Sequence, residues 1–430
     1  MKKFLVPIVC TLTLFSCSSE TVKKTPPDNR LDKCTLRFSW WGGDDRHDAT
    51  MKAITLWNAR HPSIEIKAEY GGWDGWTEKI NTQISGGSQP DVMQINYDWL
   101  VTLSSDGEGF YNLNELEHFL DLSGFSDDIL SFGMVNNHLN AVPVSLTGRG
   151  FFYNSAVFER LGVSFPETWE ELLETGNIFY QNGCYPLDLD VQSGGTAWYL
   201  SVVYVQQKTG RNFINMDGSL GFSIEDIEEA MEFYKLMEDN HVTRNVRTRI
   251  DEDGNGALYQ SPSFIDGNVA GVLEWNSAVG KYESVLDKGV LKAGGYLGDG
   301  NGNNSGWFVK PSLMYAISAE TKYPDESAEF INFLLNDKDC AEILGTSRGI
   351  PASRYAFEEL EKNGKLKGLT KENSDMLSEI DTVTISPYME TTRMKELCNS
   401  AIEKVSYGED ISITAQELYN DIIEYLESVE

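Results

Sequence analysis

Residues 35–95 change hydrophobic period from one element to the next, and this constrains the fold more than any single motif. Leu36, Phe38 and Trp40 alternate with Thr35, Arg37 and Ser39, the two-residue period of a strand. Gly42-Gly43-Asp44-Asp45 breaks the strand, and Met51, Ile54 and Trp57 then recur at helical spacing. Ile64, Ile66, Ala68 and Tyr70 alternate again. Beyond Gly71-Gly72, Trp76, Ile80 and Ile84 share one helical face, and residues 91–95 read as a third strand. Strand, helix, strand, helix, strand is the order of an α/β domain: a doubly wound, mostly parallel sheet flanked by helices.

Such a sheet binds its ligand beyond the carboxyl ends of its strands. The loops there carry Trp40, Trp41, Gly42, Gly43, Asp44 and Asp45, then Gly71, Gly72, Trp73 and Asp74, then Asn96, Tyr97, Asp98 and Trp99. Each loop combines flat aromatic faces with carboxylate or amide oxygens. Rings pack against the C–H faces of sugars, and the oxygens accept hydroxyl hydrogens, so the mixture suits a neutral polyhydroxylated ligand.

The chain has 430 residues, more than one core usually serves, so two domains are expected. Its formal net charge of −31 repels nucleic acid and anionic lipid, and disfavours a polyanionic ligand unless a local basic pocket overrides it. Lys2 and Lys3 precede an apolar stretch too short to span a bilayer, which ends in Leu14-Phe15-Ser16-Cys17. That stretch resembles a bacterial lipobox, which implies a signal peptide over residues 1–16, a lipid on Cys17 and a polar tether over residues 17–33. Cys34, Cys184, Cys340 and Cys398 form no CxxC pair; disulfides and free thiols both remain open. Asp251 to Gly256 begins like a calcium loop, but Pro262 stands where the bidentate Glu belongs, and the five histidines are scattered. No metal or cofactor is expected.

Residues 143–176 read as strand, helix, turn, helix. Gly150-Phe151-Phe152-Tyr153 favours a strand, Ser155 stands at an N-cap position, Gly162 ends the helix, and Thr168 with Glu171 forms a capping box for the next. The order Val142-Pro143-x-x-x-Thr147-Gly148, Phe152-Tyr153-Asn154, Phe158-x-x-x-Gly162, Pro166-x-Thr168-Trp169-x-Glu171-Leu172 resembles the crossover segment of the extracellular solute-binding proteins, specifically the sugar-binding subunits of bacterial ABC importers. Residues 264–276, with Glu274-Trp275-Asn276, resemble the segment whose tryptophan lines that family's cleft. Residues 309–335 resemble its return strand and helix, and residues 347–352 a turn near its second crossover.

The resemblance implies a two-lobe periplasmic-binding-protein-like fold, each lobe a mostly parallel sheet flanked by helices, with the ligand cleft between lobes. Residues 34–148 with 300–345 would form the first lobe, and 149–299 with 346–430 the second. The implied function is a receptor that closes on a carbohydrate, expected to be an oligosaccharide, and delivers it to ABC permease subunits; a monomer, lipid-anchored outside the membrane, is expected. The family motif places Trp275. Loop position and residue type add Trp40, Trp41, Asp44, Trp73, Asp74, Asn96, Asp98 and Trp99, then Arg149, Trp198 and Glu274, and Trp307 from the return segment. Two other readings remain: a secreted glycoside hydrolase drawing two carboxylates from Asp44, Asp45, Asp74, Asp98 and Glu274, and a peptide- or polyamine-binding protein of the same fold. A helix over residues 224–237 capped by Ser223, and a C-terminal helix capped by Thr414 with Glu417, are expected to pack without a role in binding.

Overall fold

The structure is a computed structural model that describes residues 33–191, 195–254, 256–298 and 305–429. Cys17 and the tether therefore lie outside the described residues. In chain order the strands are β1 (Cys34–Trp41), β2 (Ile64–Gly71), β3 (Val92–Ile95), a small hairpin of β4 (Met134–Val135) and β5 (His138–Leu139), β6 (Ala141–Thr147), β7 (Arg149–Asn154), β8 (Gly271–Trp275), β9 (Leu291–Ala293), β10 (Phe308–Ile317), β11 (Ile350–Pro351) and β12 (Val383–Thr384). Among the described residues these make a seven-stranded sheet in the order β11-β6-β10-β3-β1-β2, with β12 beside β10, and a three-stranded sheet in the order β8-β7-β9.

The two sheets meet where the chain passes from β6 to β7 through the single residue Gly148. Asn276 at the end of β8 donates its backbone N–H to the Gly148 carbonyl at 3.0 Å, and the Thr147 hydroxyl reaches the Asn276 side chain at 2.9 Å. Gly is required there: a Cβ on Gly148 would lie 2.5 Å from a Leu377 methyl and 3.0 Å from the Phe308 carbonyl.

Parallel pairing is narrower than the sequence suggests. β1 runs parallel to β2 and β3, but β10 is antiparallel to β3 and β6, and β7 is antiparallel to β8 and β9. The cause is the crossing itself. β1, β3, β6, β8 and β9 end at the junction, whereas β7 and β10 begin there, so an entering strand must oppose a leaving one. β11 pairs with β6 and β12 with β10, so the chain lies on the large sheet at residues 350–351 and again at 383–384.

Alternation decides which rings go inside. Phe38 and Trp40 share a face of β1; Phe38 packs edge-on to Phe330 at 5.2 Å, and Trp57 meets Phe330 and Phe333 from the helix Asp44–Arg60. Each such fully buried ring stabilises the fold by about 1.5–3 kcal/mol. One face of the small sheet joins this core, while Phe152, Phe264, Val272 and Leu291 form a second cluster on the other.

Three helix starts differ in detail from the sequence reading. Asn154, one residue earlier than Ser155, caps the helix Ser155–Leu161, and its amide oxygen accepts from Val157 N–H. Thr168 accepts from Glu171 N–H as expected, but the Glu171 carboxylate reaches past it to Glu167 N–H. The last helix, Ile411–Val429, starts before Thr414 because the Asp410 carboxylate accepts from Ile413 N–H at 3.0 Å; the Thr414 hydroxyl donates back to the Asp410 carbonyl. Ser223 and Asp226 form a full capping box on Ile224–Asp239. The four described cysteines are buried, and no disulfide joins any two of them.

Candidate functional site

A cavity of about 550 Å³ lies where the two sheets meet. The large sheet contributes Trp41 at the end of β1, Trp73 after β2, Asn96 after β3, and Lys310 and Ser312 on β10. The small sheet contributes Arg149, which opens β7, and Trp275, which closes β8; the antiparallel register sets these two directly opposite each other. Glu390 and Lys395 close one end, and Asp188, Asp190, Arg249, Tyr259 and Lys281 the other.

The first end is basic. The Arg149 guanidinium sits 4.6 Å from the centre of the Trp275 ring and 4.8 Å from that of Tyr199, and Lys310 Nζ is 4.5 Å from the Trp275 ring. Trp275 therefore receives a cation from each sheet, and aromatic faces attract cations electrostatically. Glu390 Oε2 accepts from Lys310 Nζ at 2.5 Å and from Lys395 Nζ at 3.2 Å. Burial alone would raise the Glu390 carboxyl, but Lys310 and Lys395 outweigh it and hold it well below the carboxylate range. Burial pulls the Lys310 ammonium down, and Glu390 opposes that pull. Arg149, Lys310 and Lys395 thus gather around one firmly ionised carboxylate, with the Asp98 carboxyl also acting on Lys310 and Lys395.

Asp98 stands behind this end. Burial pushes its carboxyl up to about 6, against the pull of Lys395 and of the hydrogen bond from Asn96 Nδ2 at 2.6 Å. An acid raised in the folded state holds its proton more tightly folded than unfolded, so stability falls as pH climbs from about 4 through 6. Asp98→Asn keeps an oxygen for Asn96 and loses the titration. Its melting temperature relative to wild type should rise across that window and level off above it; a constant difference would remove Asp98 as the group responsible.

The second end is paired. Asp188 accepts from Arg244 Nη2 at 3.0 Å and from Arg249 Nε at 2.9 Å, Arg249 Nη1 also meets Asp190 at 3.2 Å, and Lys281 meets Glu274 at 2.8 Å. Buried charges matched as Asp188, Arg244 and Arg249 are tolerated and give this wall fixed donors and acceptors. Among the described residues, no cluster of three His, Cys, Asp or Glu side chains is placed to hold a metal ion, and no helix is long and apolar enough to cross a membrane.

Residues 43–339 match the family model of the bacterial extracellular solute-binding proteins. The chain belongs to that family. A solved structure similar to this solute-binding protein is a periplasmic oligogalacturonide-binding protein from Yersinia enterocolitica in complex with saturated digalacturonic acid. It is 37% identical with a TM-score of 0.84, over 92% of this chain and 99% of that one. A multiple sugar-binding protein of Streptococcus mutans is 24% identical over 371 residues, 81% of this chain and 82% of its own length. A putative binding protein of Brucella abortus is 26% identical over 192 residues, and the match spans 45% of that relative's length. The family and these relatives are binding proteins, and the family is extracellular.

Of the residues singled out from sequence, the solute-binding protein brings Trp41, Trp73, Asn96, Arg149, Glu274 and Trp275 together around the cavity. Asp98 lies behind Asn96, and Trp99 is buried against Trp41 with ring centres 5.7 Å apart. Trp198 is buried in the helix Thr196–Thr209 and touches a small side pocket beside Arg149. Trp40 and Trp307 are core residues: Trp40 stacks on Phe38 and Tyr70, and Trp307 donates its indole N–H to the Leu297 carbonyl. Asp44 is in the exposed first turn of its helix, and Asp74 is exposed in its loop. The sequence reading left out Lys310, Glu390, Lys395, Asp188 and Arg249. A signal existed for two of them: Lys310 interrupts the apolar strand of residues 308–317, and Asp188 alternates, with Asp190, against Leu187, Leu189 and Val191.

Proposed function

We propose that this chain is the ligand-capturing receptor of an ABC importer for an acidic oligosaccharide, of which digalacturonate is the model ligand. The observation that carries this reading is the basic end of the cavity, where Arg149 and Lys310 lie against Trp275 with Lys395 beside them. A uronate offers a C–H face for Trp275 and a carboxylate for the guanidinium, which binds it in a two-pronged hydrogen-bonded pair. The digalacturonate bound by the similar Yersinia protein supports the same ligand class. The neutral ligand expected from the loop residues gives way here to the local field, and the overall charge that disfavours a polyanion governs long-range attraction while the cavity governs fit.

Trp41 and Trp73 from one sheet and Trp275 from the other would close on the sugar as the lobes approach, which shifts the population towards a closed form for the permease to recognise. Residues 14–17 support export with a lipid on Cys17 that holds a monomeric receptor at the outer face of the membrane. The hydrolase reading loses support because the carboxylates lining the cavity are engaged by cations: Asp188 and Asp190 by Arg249, Glu274 by Lys281, and Glu390 by two lysines.

A thermal-shift series with digalacturonate, a neutral disaccharide, a polyamine and a short peptide tests the reading. Digalacturonate should raise the melting temperature with concentration by mass action and be recovered intact. Stabilisation confined to the polyamine or peptide would replace the ligand class, and recovery of cleaved sugar would replace the receptor with an enzyme.

A further inference from the structure

Trp41 presents its ring to the cavity, leaning on Trp73 and Trp99 with ring centres 5.1 and 5.7 Å away, all three planes tilted. Apolar contacts of that kind are weakly directional. Its backbone carbonyl, in contrast, is held from behind by two side chains: Gln94 Nε2 donates to it at 3.2 Å and Arg46 Nη1 at 3.1 Å. Gln94 is itself oriented, because its amide oxygen accepts from Arg348 Nε at 3.1 Å, while Arg348 Nη2 is fixed on the Thr50 hydroxyl at 2.8 Å. Gln94 and Arg348 are buried and neither lines the cavity. The same segment holds Arg46, whose Nε donates to the Ser347 carbonyl at 3.0 Å. It also touches the strands at the junction, since the Arg348 carbonyl accepts from the hydroxyls of Ser145 on β6 and Ser312 on β10.

We propose that Gln94 is a positioning residue for ligand binding: braced by Arg348, it fixes Trp41 and so ties the ring that meets the ligand to the segment at the junction. The amide carries a donor and an acceptor on one planar group and so serves both neighbours at this fully buried position. The inference rests on the reading of the cavity as a sugar site, but the position of Trp41 can be measured without sugar.

The decisive variant is Gln94→Glu. An ionised carboxylate accepts from Arg348, more strongly than the amide did, but has nothing to donate and sets an oxygen against the Trp41 carbonyl. The melting temperature should change little, because the stronger pair with Arg348 offsets the lost donor, while the dissociation constant for digalacturonate rises severalfold, since the Trp41 carbonyl keeps only Arg46 as a side-chain donor and its ring is less firmly placed. In protein carrying fluorotryptophan, the fluorine resonance of Trp41, assigned by its loss in Trp41→Phe, should shift and broaden, with that of core Trp57 unchanged. Gln94→Met, which serves neither neighbour, should lose both stability and affinity. An unmoved Trp41 resonance in Gln94→Glu overturns the inference whatever the ligand is, as does wild-type affinity in that variant. If wild-type protein fails to bind digalacturonate while the resonance moves, the ligand reading falls and the positioning role stands.

Discussion

Replacing Asp188 with alanine should lower the stability of the protein by about 3 kcal/mol, since removing one member of a buried ion pair leaves its partners uncompensated. Asp188 accepts from Arg244 Nε and Nη2 and from Arg249 Nε, and the side chains of all three residues are nearly sealed from solvent. Arg244 retains Asp253 and Arg249 retains Asp190, which keeps the loss from being larger. Asp188→Asn, which still accepts, should recover part of it. Urea denaturation measures the difference. A loss below about 1 kcal/mol would mean that water replaces the carboxylate, and the wall would then not be rigid.

Trp275→Ala should weaken digalacturonate binding by about 2 kcal/mol, roughly thirtyfold, as removal of a central aromatic anchor does at other interfaces. Three functions meet on this ring. It ends β8, it receives Arg149 from the adjacent strand of its own sheet, and it receives Lys310 from the large sheet. Losing it removes a stacking face and frees two cations from the positions at which they meet a carboxylate. Trp275→Phe keeps a ring and should keep most of the affinity, which separates the loss of stacking from general damage. Calorimetric titration reads both variants; a change below threefold in the alanine variant would place the ligand elsewhere in the cavity.

The strands and helices of residues 34–95 were legible because alternation and helical spacing are local properties, and each element there has one buried face. Trp40 and Trp41 show how far the same logic reaches. The alternation that places Trp40 beside Leu36 and Phe38 sends Trp41 to the opposite side, yet loop position and residue type had nominated both for the site, and only Trp41 lines the cavity. The direction of β10 was not legible, because it depends on where the chain comes from and not on its own residues. The basic end of the cavity was hidden for a similar reason. Lys310 meets Glu390 across 80 residues of chain, with Lys395 five residues further on, and nothing local in either segment announces the other. Overall acidity even pointed away from them. The start of the last helix was misplaced by a competition between two good caps, Asp410 and Thr414, which only the backbone geometry resolves.

A calorimetric titration of the protein with digalacturonate and with its methyl ester reads whether the cavity takes a carboxylated sugar. The two ligands share a shape and differ in charge. The account predicts that the acid binds at least roughly tenfold tighter, in line with charge-assisted pairing to Arg149 and the lysines. Equal affinity for acid and ester would contradict it.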